Sequence, residues 1–332
     1  MAMVKDVKAN CSYKEVELPS LEWKKHRSKE YWEYRKAWTE IPQKLITTKF
    51  PINLDLETTS VCNLLCPMCP RTIKIEDGTF GEVGHMSMEL YKKIIDEGSK
   101  NGLCSIKLMS LGEPLLDPYV VERIKYAKDR GIIEVMFNTN ATNLTEEMSH
   151  KILEAGLDSL FFSVDGLKEQ FEKIRIGAHY ESVIKNIENF LRIKEEGNYK
   201  HVQTRVSMVV MPGMERIIPE YTKIWLPKVG KVGFGEWMVR TSTAADDKNY
   251  NPDFICAQPF QRMFVLEDGI CTPCCLDDGR GYVLGDANKN SISEIWHGEQ
   301  AEKLRSFQRD GKYYNIDICK KCAMPWTTYN TQ

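Results

Sequence analysis

The sequence has no long run of apolar residues and no excess of charge of one sign. No apolar stretch approaches the roughly 20 residues that a membrane-spanning helix needs, and the N-terminal residues have no apolar core of the kind found in a signal peptide. The 45 Lys and Arg residues nearly balance the 47 Asp and Glu residues, so no overall field favours nucleic acid or an anionic membrane. We therefore expect a cytoplasmic protein with no nucleic-acid or membrane partner.

Cysteine, in contrast, is abundant. The chain has 11 cysteines, and an odd number in a chain without a recognisable secretory leader argues against a disulfide framework. Most of them fall into two groups, within residues 62–69 and residues 256–322. Clustered thiols in a reducing compartment typically bind metal or carry out redox chemistry.

From residue 52 onward, short apolar β-branched runs alternate with segments of helical periodicity. Such alternation implies parallel strands joined by crossover helices, and six units are too few for a complete eight-stranded barrel. We expect an α/β fold, a partial (β/α)6 TIM-like barrel that stays open. The predicted strands are Ile52–Thr58, Ser105–Met109, Ile133–Asn138, Ser159–Val164, Gln203–Val210 and Val232–Val239.

The chain divides into three expected segments: an N-terminal helical extension (1–50), the partial barrel (51–245) and a small cysteine-rich module (246–332). In the first segment we predict an aromatic-rich helix over Leu21–Trp38 that packs on the barrel, with a partner-docking arm as the alternative. The predicted elements of the last segment are strands at Arg262–Leu266 and Tyr282–Leu284 and a helix near Ser293–Gln308.

The first cysteine group, Cys62, Cys66 and Cys69, directly follows the first predicted strand. In parallel barrels, catalytic groups gather in loops at this end of the strands. Three thiolates on one short loop can hold three irons of a cubane cluster, and the fourth iron can then take a ligand's amine and carboxylate. The alternatives are a zinc site with His85 as fourth ligand and a structural loop of unliganded thiols.

This C-x3-C-x2-C spacing, in this position, resembles that of the radical S-adenosylmethionine (SAM) superfamily, and the resemblance covers roughly residues 50–332. It implies that the [4Fe–4S] cluster binds SAM and cleaves it reductively to a 5′-deoxyadenosyl radical. It also implies an electron donor such as flavodoxin or ferredoxin. Met68 stands before the last cysteine, where the family usually has an aromatic residue.

Later strand ends carry further positions that resemble the family. The segment Ser110–Pro114 is similar to the family's Gly-Gly-Glu-Pro segment, which binds the methionine ammonium, with Leu111 in place of the first glycine. Arg175 matches an arginine that pairs with the methionine carboxylate, with an exposed surface arginine as the alternative. Asp165 is either a family position or a turn cap before a glycine. The SAM-binding residues that the resemblance implies are Gly112, Glu113, Asn138, Ser163, Arg175 and Met208.

The second cysteine group, from Cys256 to Cys322, resembles the SPASM/twitch extension of that superfamily, which carries auxiliary iron–sulfur clusters. Six cysteines are too few for two clusters, so one auxiliary [4Fe–4S] cluster is favoured. Cys275 and then Cys271 compete with Cys274 for one ligand place, and a zinc knuckle is the structural rival. The ligand set that we favour is Cys256, Cys274, Cys319 and Cys322.

The resemblance implies an enzyme that abstracts a hydrogen atom from its substrate. An auxiliary cluster that accepts an electron from the substrate radical gives net oxidation, whereas a thiol that returns a hydrogen atom gives epimerisation. The spare thiols Cys104, Cys271 and Cys275 are candidates for that donor. The enzyme is thus expected to be an oxidoreductase (a dehydrogenase) or an epimerase.

The substrate class follows from the length of the N-terminal segment. Only about 50 residues precede the first strand, fewer than the recognition domain of peptide-modifying relatives. We therefore expect a small polyol, such as a sugar, an aminoglycoside or a nucleotide-linked sugar, contacted by Glu236, Trp237 and Arg240. His179 or Tyr180 are candidate acid–base groups. The alternatives are a peptide-modifying maturase and a non-catalytic iron–sulfur or zinc-binding protein.

Overall fold

The computed structural model describes residues 7–8, 13–237, 254–277, 280–322 and 324–326. The β-strands of this part of the chain are β1 (Val7–Lys8), β2 (Tyr13–Glu17), β3 (Asn53–Leu56), β4 (Ser105–Lys107), β5 (Glu134–Thr139), β6 (Ser159–Ser163), β7 (Gln203–Val210), β8 (Lys231–Glu236), β9 (Ile255–Cys256), β10 (Arg262–Val265), β11 (Ile270–Thr272) and β12 (Gly285–Asp286).

The α-helices of the same residues follow the strands in chain order. They are α1 (Glu22–Lys25), α2 (Lys29–Gln43), α3 (Pro70–Glu76), α4 (Met88–Asn101), α5 (Val120–Asp129), α6 (Glu146–Glu154), α7 (Lys168–Ile174), α8 (Tyr180–Glu196), α9 (Ile218–Val229), α10 (Gln258–Gln261), α11 (Ile292–Trp296), α12 (Glu299–Arg309) and α13 (Asp317–Lys320). None of the helices in the described ranges is both long and apolar enough to cross a membrane.

Strands β3 to β8 lie side by side in chain order, and each pairs with the next in parallel. All six predicted strands are therefore confirmed, with ends that differ by at most three residues. The crossover helices begin where local capping favours it: the hydroxyl of Ser87 accepts from the amide of Leu90 at the start of α4, and Thr145 caps α6 in the same way. The structure thus confirms an α/β fold with a partial, open barrel.

Four further strands extend this sheet at its edges, in the order β12-β11-β10 beside β3 and β2 beside β8. β10, from the cysteine-rich segment, pairs in parallel with β3, so that Val265 lies opposite Leu56. β2, from the N-terminal segment, pairs antiparallel with β8, so that Val16 lies opposite Val232. Both outer segments therefore contribute to the barrel sheet, and the domain limits expected from the sequence stay a prediction.

Several local predictions were wrong. The N-terminal helix is interrupted: α1 and α2 are separate because Ser28, in an extended conformation, caps the start of α2. The expected helix near Ser293–Gln308 is likewise two helices, α11 and α12, which meet at Gly298. The strand expected at Tyr282–Leu284 is absent there; a strand, β12, begins directly after it at Gly285 and pairs antiparallel with β11.

The two faces of β3 differ in polarity. Leu54 and Leu56 are fully buried in the hydrophobic core. On the other face, Asn53 donates to Asp55 at 2.9 Å and accepts from the Ser105 hydroxyl at 2.6 Å. Burial raises the pKa of Asp55, and the neighbouring Arg262 guanidinium opposes that shift. This face of β3 is therefore lined by hydrogen-bonded polar groups.

Candidate functional site

The loop after β3 carries the first cysteine group. The Cys69 amide donates to the Cys66 carbonyl at 2.9 Å, and Cys69 is also the residue at which α3 begins. Burial raises the pKa of the Cys66 thiol to about 11, although the guanidinium of Arg175, 3.8 Å from the sulfur, opposes the shift. A bound metal holds its thiol ligands as thiolates. A thiol whose pKa is raised by burial is therefore better suited to binding a metal than to reacting as a free thiolate.

A cavity of about 300 Å³ lies at this end of the barrel strands and contains all three cysteines in its wall. Five of the residues that the sequence assigns to SAM line it as well: Gly112, Glu113, Asn138, Ser163 and Arg175. We call this space the cofactor cavity. Met68, Glu236 and Trp237 also line it.

Met208 is not among the lining residues. Its side chain is 1% exposed and belongs to the hydrophobic core, whereas the next residue, Val209, lines the cofactor cavity. Successive side chains of a strand point to opposite faces, so a one-residue difference in register decides which of the two reaches the cavity. His179 and Tyr180 do not line it either, and Arg240 lies outside the described residues.

Gly112 allows two loops of the site to approach closely. A β-carbon at this position would lie 2.0 Å from the backbone carbonyl oxygen of Thr59. The adjacent amide of Glu113 donates to the carbonyl of Val61 at 2.8 Å. The loop after β4 is thereby fixed against the chain that leads into Cys62.

The carboxylate of Glu113 is buried and joins two strand ends. It accepts hydrogen bonds from the Thr139 hydroxyl at 2.6 Å, from the Asn140 amide at 2.7 Å and from the Leu115 amide at 3.1 Å. Burial raises the pKa of Glu113, and the hydrogen bond from Asn140 is the largest opposing influence. This carboxylate therefore holds the loops after β4 and β5 together, in addition to lining the cofactor cavity.

The cavity fits a ligand that both donates and accepts hydrogen bonds. Buried polar atoms are normally paired, yet Asn138 Oδ1, Arg175 Nε and Arg71 Nη1 have no hydrogen-bond partner among the described residues, and all three side chains line the cavity. Arg175 is held by Asp165, 2.6 Å from its guanidinium, and is only 15% exposed, so it is no surface arginine. SAM, with its amine, carboxylate and ribose hydroxyls, has the groups that these atoms need.

Four cysteines of the second group lie close together. Burial raises the pKa of the Cys256 thiol to about 11. Burial and then the neighbouring Cys274, Cys256 and Cys322 thiols raise that of Cys319. Phe254, Tyr313 and Met324 form a buried cluster against which Cys256, Cys319 and Cys322 pack. The structure thus brings together the four expected ligands, Cys256, Cys274, Cys319 and Cys322.

The remaining thiols lie in different surroundings. Cys275 is close enough to raise the pKa of Cys274, after burial the largest influence on that thiol. Cys271 is fully buried in the main core, and Cys104 precedes β4, at the opposite end of the sheet from the cofactor cavity. His85 is exposed, and Cys11 lies outside the described residues.

Within the described residues, no three His, Cys, Asp or Glu side chains converge tightly enough to hold a single metal ion. A cubane cluster makes a different demand, because it spreads its ligands over separate irons.

A second cavity, of about 460 Å³, lies between the two cysteine groups. Cys274 and Cys275 are in its wall, and it shares Ser110 and Leu111 with the cofactor cavity. We call it the inter-cluster cavity. Phe264 of β10 and loop residues that follow β3, among them Thr79 and Glu82, also line it.

Two carboxyl groups that the sequence analysis did not single out meet in the inter-cluster cavity. Glu57 is 3% exposed, accepts from the Leu111 amide at 2.8 Å and is hydrogen-bonded to Glu267. Burial, and then the Glu267 carboxyl, raise the pKa of Glu57 well above its usual range. The sequence does contain a signal for Glu57, because it follows Asn53 and Asp55 at every second position and so falls on the same polar face.

Two family models match the chain. Residues 56–216 match the radical SAM superfamily, and residues 256–323 match an iron–sulfur cluster-binding domain, SPASM. The first model ends within the barrel, and the second covers all six cysteines of the second group.

Curated relatives match over part or most of the chain. The tungsten-containing aldehyde ferredoxin oxidoreductase cofactor-modifying protein of Pyrococcus furiosus is 31% identical over 52% of this chain and 48% of its own. The S-adenosyl-L-methionine-dependent 2-deoxy-scyllo-inosamine dehydrogenase of Niallia circulans is 24% identical over 81% of this chain and 91% of its own. The chain spans about half the length of several of the curated relatives that it matches.

Solved structures share the fold. BtrN in complex with AdoMet and 2-DOIA has a TM-score of 0.55 at 20% identity, covering 83% of this chain and 94% of that one. Streptococcus suis SuiB bound to the precursor peptide SuiA has a TM-score of 0.62 at 14% identity, covering 82% and 70%. At these identities the likeness concerns the fold alone.

The matched domains fix the cofactors: a [4Fe–4S] cluster and SAM for the first, and additional iron–sulfur chemistry for the second. The clustered thiols of both groups and the unpaired polar atoms of the cofactor cavity fit them. The chain belongs to the radical SAM superfamily and carries a C-terminal SPASM iron–sulfur domain.

Proposed function

We propose that this chain is a radical SAM dehydrogenase that oxidises a small polyol bound in the inter-cluster cavity. The observation that carries the proposal is the position of this cavity, which shares Ser110 and Leu111 with the cofactor cavity and has Cys274 in its wall. A substrate there lies next to the cofactor on one side and next to the auxiliary ligands on the other. That position suits loss of a hydrogen atom followed by loss of an electron.

The residues divide the work between two centres. Cys62, Cys66 and Cys69 hold the first cluster, and Cys256, Cys274, Cys319 and Cys322 hold the auxiliary one. Arg175 and Asn138 orient SAM with polar atoms that have no other partner. The bound cofactors supply a carbon radical that takes a hydrogen atom from the substrate, and the protein orients the reactants and excludes water.

The lining of the inter-cluster cavity supports a polar, small substrate. Its volume of about 460 Å³ lies within the range of small-molecule sites, about 300–1,000 Å³. Its wall carries carboxyl groups, among them Glu57 and Glu267, and the cation Arg280, which is paired with Asp268 at 2.5 Å. Such groups bind hydroxyls and amines. A dehydrogenase of 2-deoxy-scyllo-inosamine among the relatives supports an aminocyclitol, sugar or aminoglycoside.

Epimerisation is the second candidate, and one observation favours it. Cys275 lines the inter-cluster cavity, the position that a hydrogen-atom donor must occupy. Neither Cys104 nor Cys271 lines either cavity. A peptide substrate is the third candidate, since a similar fold is found in SuiB bound to its precursor peptide.

The test is an anaerobic incubation of the iron-loaded full chain with SAM and dithionite in deuterated water. The substrates are 2-deoxy-scyllo-inosamine, its amine-free analogue and a mixture of unmodified peptides. Oxidation predicts a product lighter by two hydrogens, with 5′-deoxyadenosine in equal amount. Deuterium gain without oxidation, lost in Cys275→Ala, would replace dehydrogenation by epimerisation. Consumption of peptides alone would contradict the small-molecule proposal.

An electron donor completes the proposal. Reduction of the first cluster needs an external reductant, for which a flavodoxin or a ferredoxin is suited. Replacement of dithionite by either protein with its reductase should support 5′-deoxyadenosine formation, measured by chromatography. Failure of both, with dithionite active, would contradict this choice of donor.

A further inference from the structure

Arg71 is a buried cation in the wall of the cofactor cavity. It is the second residue of α3, next to Pro70, and its side chain is 7% exposed. Nε donates to the Ser60 carbonyl at 3.1 Å, whereas Nη1 is buried and has no hydrogen-bond partner among the described residues. The guanidinium is therefore buried beside the cofactor cavity with one donor unsatisfied.

The charge of Arg71 has no carboxylate partner among the residues that the structure describes. The Phe80 ring lies 5.3 Å from the guanidinium carbon. The start of a helix carries partial positive charge, so this end of α3 is an unfavourable place for a cation. A buried charge is costly unless it is paired, and the position therefore calls for an anion.

Arg175 offers an instructive contrast. It also lines the cofactor cavity, but Asp165 lies 2.6 Å from its guanidinium and balances its charge. Arg71 has no such carboxylate. It shares the wall of the cofactor cavity with Cys62, Cys66 and Cys69. The guanidinium therefore lies beside the loop that carries the three thiols.

We infer that Arg71 pairs with the iron–sulfur cluster held by Cys62, Cys66 and Cys69 and raises its reduction potential. The inference rests on the proposed ligand set. A [4Fe–4S] cluster on three thiolates carries net negative charge, and reduction adds one more. A nearby cation in a site of low dielectric stabilises the reduced form more than the oxidised form. Arg71 is therefore a positioning and tuning residue, separate from any contact with the substrate.

The test is a redox titration, followed by electron paramagnetic resonance, of the anaerobically loaded full chain without SAM. The relevant cluster is the one whose signal changes when SAM is then added. We expect Arg71→Gln to move its midpoint potential to more negative values and Arg71→Lys, which keeps the charge, to stay near the wild type. Arg192→Gln on α8 is the matched control, since that arginine is exposed and remote.

Iron content and melting temperature are measured first. An Arg71→Gln chain that folds but does not load this cluster, while Arg71→Lys loads it, also supports the pairing. An unchanged potential in a fully loaded Arg71→Gln chain would overturn it, and so would equal loss of loading in both variants. If the potential stays constant and only SAM affinity falls, the guanidinium binds SAM and the inference fails. Absence of substrate oxidation would affect the proposed function but leave this measurement untouched.

Discussion

Replacement of Glu113 by alanine should destabilise the fold as well as the cofactor site. The carboxylate is 3% exposed and accepts from three donors on two loops. The Thr139 hydroxyl can rotate to another acceptor, but the amides of Leu115 and Asn140 cannot. An unsatisfied buried donor costs about 1–3 kcal/mol, so two of them cost about 2–6 kcal/mol. Release of a buried carboxylate offsets part of this, and we expect the lower half of that range.

Glu113→Gln refines the prediction, because one amide oxygen remains as an acceptor. We expect it to lose about half as much, roughly 1–2 kcal/mol. The assay is guanidinium denaturation of the cluster-free full chain under anaerobic conditions, together with SAM binding to the loaded protein. Glu147→Ala is the control: this side chain is 76% exposed, so its removal should change stability by no more than about 0.5 kcal/mol.

A loss of less than about 1 kcal/mol in the free energy of unfolding of Glu113→Ala, together with strongly reduced SAM binding, would refute the role of Glu113 in joining the loops. That result would make the carboxylate a direct ligand of the cofactor with no role in joining the loops. Equal losses in the alanine and glutamine variants would contradict the count of lost acceptors.

Three further predictions follow from the site. Gly112→Ala should weaken SAM binding at least about tenfold, ~1.4 kcal/mol, because its β-carbon would lie 2.0 Å from a carbonyl oxygen. The assay is equilibrium dialysis, in which the control Gly81→Ala, with open space around it, should bind SAM like the wild type. Cys274→Ala should lose the iron of the auxiliary cluster and Cys275→Ala should retain it, so equal iron contents would refute the ligand choice. The raised pKa of Glu57 means that the folded chain keeps a proton which the unfolded chain releases, so its contribution to stability falls as pH rises above 4.5. Glu57→Gln should therefore be relatively more stabilising at pH 8 than at pH 5, and a pH-independent difference in the free energy of unfolding would count against the buried carboxyl pair.

The parallel strands and their helices could be predicted because local signals specify them. The caps at Ser87 and Thr145 and the hydrophobic face of α8 depend on residues within a few helical turns. The helices that they specify alternate along the chain with β-branched runs. The cofactor cavity could be predicted for a related reason. Side chains at the carboxyl ends of successive parallel strands must lie near one another, which brings Gly112, Asn138 and Ser163 into one wall.

What the sequence left open depends on pairing between distant segments. Nothing local indicates that β10 pairs with β3 or that β2 closes the far edge. Without β10 beside β3, the contact between Glu57 and Glu267 cannot be anticipated. The resemblance places Met208 against SAM, whereas its side chain lies in the core and Val209 lines the cavity. A shift of one residue along a strand exchanges its two sides.

Arg71 was missed for a different reason. Its neighbour Cys69 belongs to a spacing that attracts attention, whereas a single arginine in a helix is usually a surface residue. Only its burial and its unpaired Nη1 separate it from such a residue. Neither property can be read from composition or periodicity.

The most direct test of the central claim compares the wild type with a Cys62→Ala/Cys66→Ala/Cys69→Ala variant, both purified anaerobically and loaded with iron and sulfide. Iron per chain and 5′-deoxyadenosine formed with SAM and dithionite are measured on the same samples. We predict about eight irons in the wild type and about four in the variant, for two and one [4Fe–4S] clusters, with 5′-deoxyadenosine formed only by the wild type. Continued SAM cleavage by the variant would contradict the account.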